Sequence, residues 1–156
     1  MKLQQTYRFY AFVFFLLGFV ILGNNAYARA SAINLGGSES TAVQGYDVMA
    51  YWNQGKALKG DANITLDYKN ATWHFASEAN RDAFAANPEK YAPQYGGYCA
   101  YAAGKGYLAN VDVNAWTIYN DKLYLNYNKS VRALWSLDKA GYIARGDANW
   151  PKILEN

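Results

Sequence analysis

One cysteine and one histidine in 156 residues leave little room for the commonest site chemistries. Cys99 has no partner in the chain, so no internal disulfide can form. The fold must therefore rest on its hydrophobic core. A single histidine, His74, rules out the paired-histidine zinc motif, and no phosphate loop or nucleophile elbow occurs. A Cys–His nucleophile pair has both members but no third group to orient it. The chain is accordingly read as a non-enzyme, with a Cys99-dependent redox or transferase activity as the exception. Long apolar runs are also lacking. The longest, counted generously from Phe9 to Gly23, has 15 residues, short of the roughly 20 that span a bilayer, so no stable membrane insertion is expected. Net charge is missing too. Residues 31–156 carry 12 basic and 12 acidic side chains, which leaves no electrostatic footprint for nucleic acid or anionic lipid.

What is present at the start of the chain has the three parts of a secretory signal. Lys2 and Arg8 supply positive charge, residues 11–23 supply the apolar stretch, and Ala26, Ala28 and Ala30 supply small residues for cleavage. A cut after Ala30 is expected, or else after Ala28, and no nearby cysteine offers a lipid anchor. The expected destination is the periplasm of a Gram-negative cell. Residues 1–30 are thus read as a signal peptide, 31–42 as a flexible leading segment, and 43–154 as one globular domain. No internal repeat or low-complexity stretch is evident.

The pattern along that domain predicts an α+β fold, in which two β-hairpins pack with short helices and a C-terminal helix. A short helix or turn is expected over 47–52. Alternation over 64–68 and 72–75 around Lys69-Asn70 predicts a first hairpin. Ser77 is a credible N-cap for a helix over 78–86 with Ala79, Ala83 and Phe84 facing inward. Asn87-Pro88 stops it, and one more turn over 88–91 is expected. Residues 95–107 read as glycine-rich and irregular, and the pair Gly96-Gly97 predicts a sharp turn with positive φ. A second hairpin is expected over 116–119 and 123–127 around Asn120-Asp121. Asn128 then caps a helix with Val131, Leu134 and Trp135 on one side and Lys129, Arg132 and Lys139 on the other. Gly141 and Gly146 are expected to end it, and Trp150-Pro151 to close the domain.

Few residues carry candidate chemistry. His74 shares one strand face with Thr72 and Ala76, opposite Trp73 and Phe75. It is a possible metal ligand or proton carrier, or a hydrogen-bonded sheet residue. Cys99 sits in the run 95–101, where glycines allow close backbone approach. Its thiol suits copper or zinc, or else packs as a small hydrophobe. Asp47 and Met49 lie together and read as a helix cap and a core residue, with Met49 as a copper ligand in the alternative reading. Tyr95, Tyr98, Tyr101 and Tyr107 flank the glycine-rich loop and can line a pocket for an apolar ligand or partner, or fill the core.

Asp47, the run 73–77 (Trp-His-Phe-Ala-Ser), Phe84 and the run 87–91 (Asn-Pro-Glu-Lys-Tyr) resemble the YHS domain family. The likeness extends over 43–154 to its exported single-domain branch, including Gly45-Tyr46-Asp47, the run 95–101 and the run 123–128. The resemblance implies transition-metal handling, most naturally of copper. Metal-linked members carry cysteines where this chain has Ala50, Ala76 and Asn80, so Asp47, His74 and Ser77 are the carried-over positions. The expected function is that of a periplasmic metal-binding accessory or carrier protein, with His74, Cys99, Asp47 and Met49 as ligands for copper or zinc. The alternative is a metal-free module that binds a small ligand or an envelope partner protein through its aromatic, glycine-rich loop.

Overall fold

A computed structural model describes residues 31–155; the expected signal peptide lies outside the described residues. Helix α1 (Val48–Asn53) is followed by a hairpin of β1 (Asp61–Tyr68) and β2 (Ala71–Phe75), then α2 (Glu78–Ala86) and α3 (Pro88–Tyr91). Helix α4 (Ala100–Lys105) leads to a second hairpin of β3 (Asp112–Tyr119) and β4 (Lys122–Asn126), then α5 (Lys129–Ser136) and the long α6 (Lys139–Glu155). Tight turns over Ala42–Gly45 and Gln94–Gly97 precede α1 and α4. The architecture is α+β, with each hairpin forming its own two-stranded antiparallel sheet. Among the described residues, no helix is long and apolar enough to cross a membrane.

Local chemistry accounts for most element ends. The Asp47 carboxylate accepts from the Met49 N–H and so starts α1. Ser77 and Asn128 do the same for α2 and α5 by accepting from the N–H of Asn80 and Val131. Both hairpins turn on two residues with positive φ, Lys69-Asn70 and Asn120-Asp121, as tight primed turns require.

Aromatic side chains bind the layers together. Trp73, Phe75 and Phe84 are fully buried, with the Trp73 and Phe75 rings 5.1 and 5.3 Å from that of Phe84. A second cluster holds Tyr95, Tyr124 and Trp135 beneath α4 and α6. The leading segment joins this core: Ile33 and Asn34 are buried, and Asn34 donates to the carbonyls of Gly96 and Gly97.

Several expectations need correction. Residues 95–107 are not irregular throughout, because α4 forms there and ends at Gly106, whose φ of 89° gives it a left-handed cap. Ala79 is exposed and Asn80 is buried in its place, drawn inward by its bond to Asp47. Leu134 is 51% exposed, and Trp135 alone of its neighbours is fully buried. Gly141 and Gly146 do not end a helix; they lie within α6, which also runs through Pro151. Asp138 caps α6 by accepting from the Gly141 N–H. Gly146 permits close approach, since a Cβ there would lie 2.6 Å from the Tyr95 hydroxyl.

The absence of a repeat is the largest correction. The order turn, helix, hairpin, capped helix occurs twice. Helix α1 maps onto α4 with an offset of 52 residues, and β1, β2 and the start of α2 map onto β3, β4 and α5 with an offset of 51. Details repeat as well. Val43-Gln44 and Tyr95-Gly96 share left-handed backbone. Asp61 accepts from the Asn63 N–H as Asp112 does from that of Asn114. Both hairpins shift register just after that aspartate. The sequence hides the duplication because few side chains match: Asp47 stands opposite Cys99, His74 opposite Leu125 and Asn80 opposite Val131.

Candidate functional site

In the first half, Asp47 is the centre. It is fully buried, and its two carboxylate oxygens accept three bonds: from the Met49 N–H at 2.9 Å, the Ala76 N–H at 2.8 Å and the Asn80 side-chain amide at 2.6 Å. Asn80 in turn accepts from the Asn53 amide. Ala76 and Asn80, two of the three positions where metal-linked relatives by resemblance carry thiols, thus donate to this carboxylate, and Ala50, the third, lies in α1, which Asp47 caps. Here an amide fills the place and two methyl groups replace sulfur.

The duplicated position in the second half is open. Cys99 stands where Asp47 does, and its sulfur accepts from the Tyr127 N–H at 3.2 Å, as Asp47 accepts from that of Ala76. The thiol donates weakly to the side-chain amide oxygen of Asn126 at 3.8 Å. No side chain reaches across from α5, because Val131 replaces Asn80. The outcome is an apolar hollow of about 260 Å³ lined by Cys99, Tyr101, Ala102, Tyr107, Ala109, Tyr127 and Val131. Cys99 itself is 1% exposed, while Tyr107 and Tyr127 on the rim are 52% and 56% exposed.

The structure separates the other candidates. Trp73 and Phe75 enter the core that also holds Cys99, so strand alternation turns His74 to the opposite face of its hairpin. His74 lines a different hollow, with Gln44, Gly45, Lys59 and Gly60. A Cys99–His74 pair therefore does not form. Met49 is 5% exposed and packs in the core. Of the four loop tyrosines, only Tyr101 and Tyr107 share a hollow. Tyr95 is buried, and its hydroxyl donates to the Asp147 carboxylate at 2.9 Å. Burial first, then that bond, pushes its pKa well above the usual tyrosine range. Tyr98 stacks near Trp150, ring centres 6.2 Å apart.

These positions test the transition metal that the resemblance implies, and the fit fails. A structural zinc site takes about four ligands. Among the described residues, no group of three or more His, Cys, Asp or Glu side chains is placed to hold an ion. Asp47 already accepts three N–H bonds, Met49 is enclosed, and His74 and Cys99 face apart.

Sequence reasoning missed Asn80 as the partner of Asp47, and Ala102, Ala109, Tyr127 and Val131 as lining residues. The repeat is the signal that leads to two of them: once Asp47, Ala76 and Asn80 are known to meet, an offset of 51 or 52 residues leads to Cys99, Tyr127 and Val131.

Comparison with curated proteins and with solved structures returns no match. Residues 49–95 match the family model of the YHS domain. That stretch contains Met49 and His74, stops four residues short of Cys99, and coincides with the first of the two structural halves from α1 onward. The similarity to the YHS domain thus covers residues 49–95.

Proposed function

We propose that the protein is an exported, non-catalytic binding module that docks an apolar side chain of an envelope partner protein in the Cys99 hollow. The observation that carries this reading is the hollow itself: an apolar cavity, rimmed by exposed rings, at the position where the first half is filled. Its volume of about 260 Å³ falls below the roughly 300–1,000 Å³ of ordinary small-molecule pockets, so one aromatic or branched side chain is the fitting occupant. Further large apolar side chains are exposed on α5 and just after it, Leu134 at 51% and Leu137 at 83%, which supports an interaction surface on this side. Export to the periplasm rests on the charged, apolar and small-residue pattern of residues 1–30. The separation of Cys99 from His74 supports binding over catalysis.

Toluene, which has the size of a phenylalanine side chain, tests the hollow. Saturable nuclear magnetic resonance shifts centred on Ala102 and Ala109 are expected with the wild-type protein, to be lost with Val131→Arg or Tyr107→Ser, and to be unchanged by His74→Ala. Shifts that neither hollow substitution alters overturn the reading.

The YHS match favours a second reading, a copper- or zinc-binding accessory or carrier protein. That reading rests on the domain alone, because the described residues offer no convergent ligand set.

A further inference from the structure

The other hollow, on the outer face of the first hairpin, has no assigned role. Two nitrogen groups converge there. A methyl group added to Gly45 would come within 3.1 Å of His74 Nδ1 and 3.3 Å of Lys59 Nζ, so both face one point beside the Gly45 backbone. The His74 ring makes no hydrogen bond among the described residues, and neither ring nitrogen is sealed from solvent. Lys59 donates to the Gln44 carbonyl, and its ammonium lies 4.9 Å from the Tyr46 ring centre. The hollow is completed by Leu35, Ser38, Thr41 and Gly60, and no carboxylate lines it.

The fold does not demand an imidazole at this place. In the second half the matching residue is Leu125, which is fully buried, and the matching turn is covered by the chain's own Asn34, bonded to the Gly97 carbonyl. The first half instead leaves a half-buried imidazole and an ammonium side by side with no counter-charge. An ammonium next to the ring opposes a metal cation there by like-charge repulsion. The same pair suits an anion, because charge-assisted bonds from Lys and His to a carboxylate or phosphate are the strong ones.

We propose that Lys59 and His74 form a binding site for a small oxyanion, a carboxylate or phosphate group, received beside Gly45. The ammonium supplies charge and one donor, and the imidazole N–H supplies a second. The site lies on the opposite hairpin face from the Cys99 hollow and does not depend on any occupant there.

Nuclear magnetic resonance titration of the purified protein tests it, with inorganic phosphate in one series, acetate in a second and chloride at matched ionic strength as the control. Saturable shifts centred on Gly45, Lys59 and His74 are expected with phosphate or acetate, and the tighter of the two names the ligand class. Lys59→Met and His74→Asn are each expected to weaken binding at least about tenfold, as loss of one charge-assisted bond does, with the native fold retained by circular dichroism. Shifts that chloride reproduces, or saturation that survives both substitutions, overturn the proposal.

Discussion

Replacing Asp47 with alanine tests whether this carboxylate is scaffold or ligand. Three N–H groups point at it: those of Met49, Ala76 and the Asn80 amide. Loss of an N-cap costs roughly 0.5–2 kcal/mol. Each buried donor left unsatisfied costs a further 1–3 kcal/mol or so. The Ala76 N–H sits in a half-buried residue that water can reach, so its share belongs at the low end. The Asn80 side chain is only 8% exposed and pays more. The expected loss is about 3–5 kcal/mol, a large part of the roughly 5–15 kcal/mol that holds a typical domain together. Urea unfolding of wild type, Asp47→Ala, Asn80→Ala and the double variant measures it. Because Asn80→Ala removes the orphaned amide, the double variant should be less destabilised than the sum of the singles, by at least about 1 kcal/mol. A single-variant loss under about 1 kcal/mol, or strict additivity, refutes the reasoning. A loss seen only when metal is present would instead mark Asp47 as a ligand.

Gly96→Ala should destabilise the protein by on the order of 1–3 kcal/mol, since φ is 60° there and the added Cβ would overlap the Ala32 carbonyl; urea unfolding checks it, and an unchanged midpoint contradicts it. Alkaline pH should unfold the protein. Burial, with help from Asp147 and Tyr119, raises the Tyr124 pKa from 10.0 to about 12, so above pH 10 the unfolded state loses its proton first. Stability is therefore intact below about pH 10 and falls as pH rises toward 12, which phenolate absorbance and circular dichroism should show as late, coincident transitions. The Cys99 thiol, 1% exposed, should react with a disulfide reagent far more slowly in the native protein than in denaturant; equal rates would place it at the surface. On the proposed export, the mature protein is expected to begin at Ser31 or Arg29, which N-terminal sequencing of envelope material checks; recovery of the full-length chain from membranes contradicts it.

Local signals made much of the fold legible. Lys69-Asn70 and Asn120-Asp121 announced both hairpins through turn residues that tolerate positive φ, and Ser77 and Asn128 announced α2 and α5 through their side-chain oxygens. The Gly96-Gly97 pair does adopt positive φ, 60° and 84°. Helix α4 was hidden because its alanines and glycine are punctuated like a loop, while its stability comes from packing Gly104 closely against Tyr142 on α6. Gly141 and Gly146 misled for the same reason: their small size serves contacts that composition does not display. The site was least legible. As the lone histidine and lone cysteine, His74 and Cys99 were expected to act as a pair, but strand alternation turns one outward while the other faces the core. The duplication is written in backbone conformation and hydrogen bonds, and its paired side chains differ, so only three-dimensional positions reveal that Cys99 repeats Asp47.

The central claim is that Cys99 and His74 serve separate surfaces and do not share an ion. Titration of the purified protein with Cu(I) and Zn(II), comparing wild type, His74→Ala and Cys99→Ser by calorimetry and elemental analysis, tests it most directly. The account predicts no bound ion that requires both residues, so that Cys99→Ser leaves any weak binding at His74 unchanged. One ion per chain, lost in each variant alone, would contradict it.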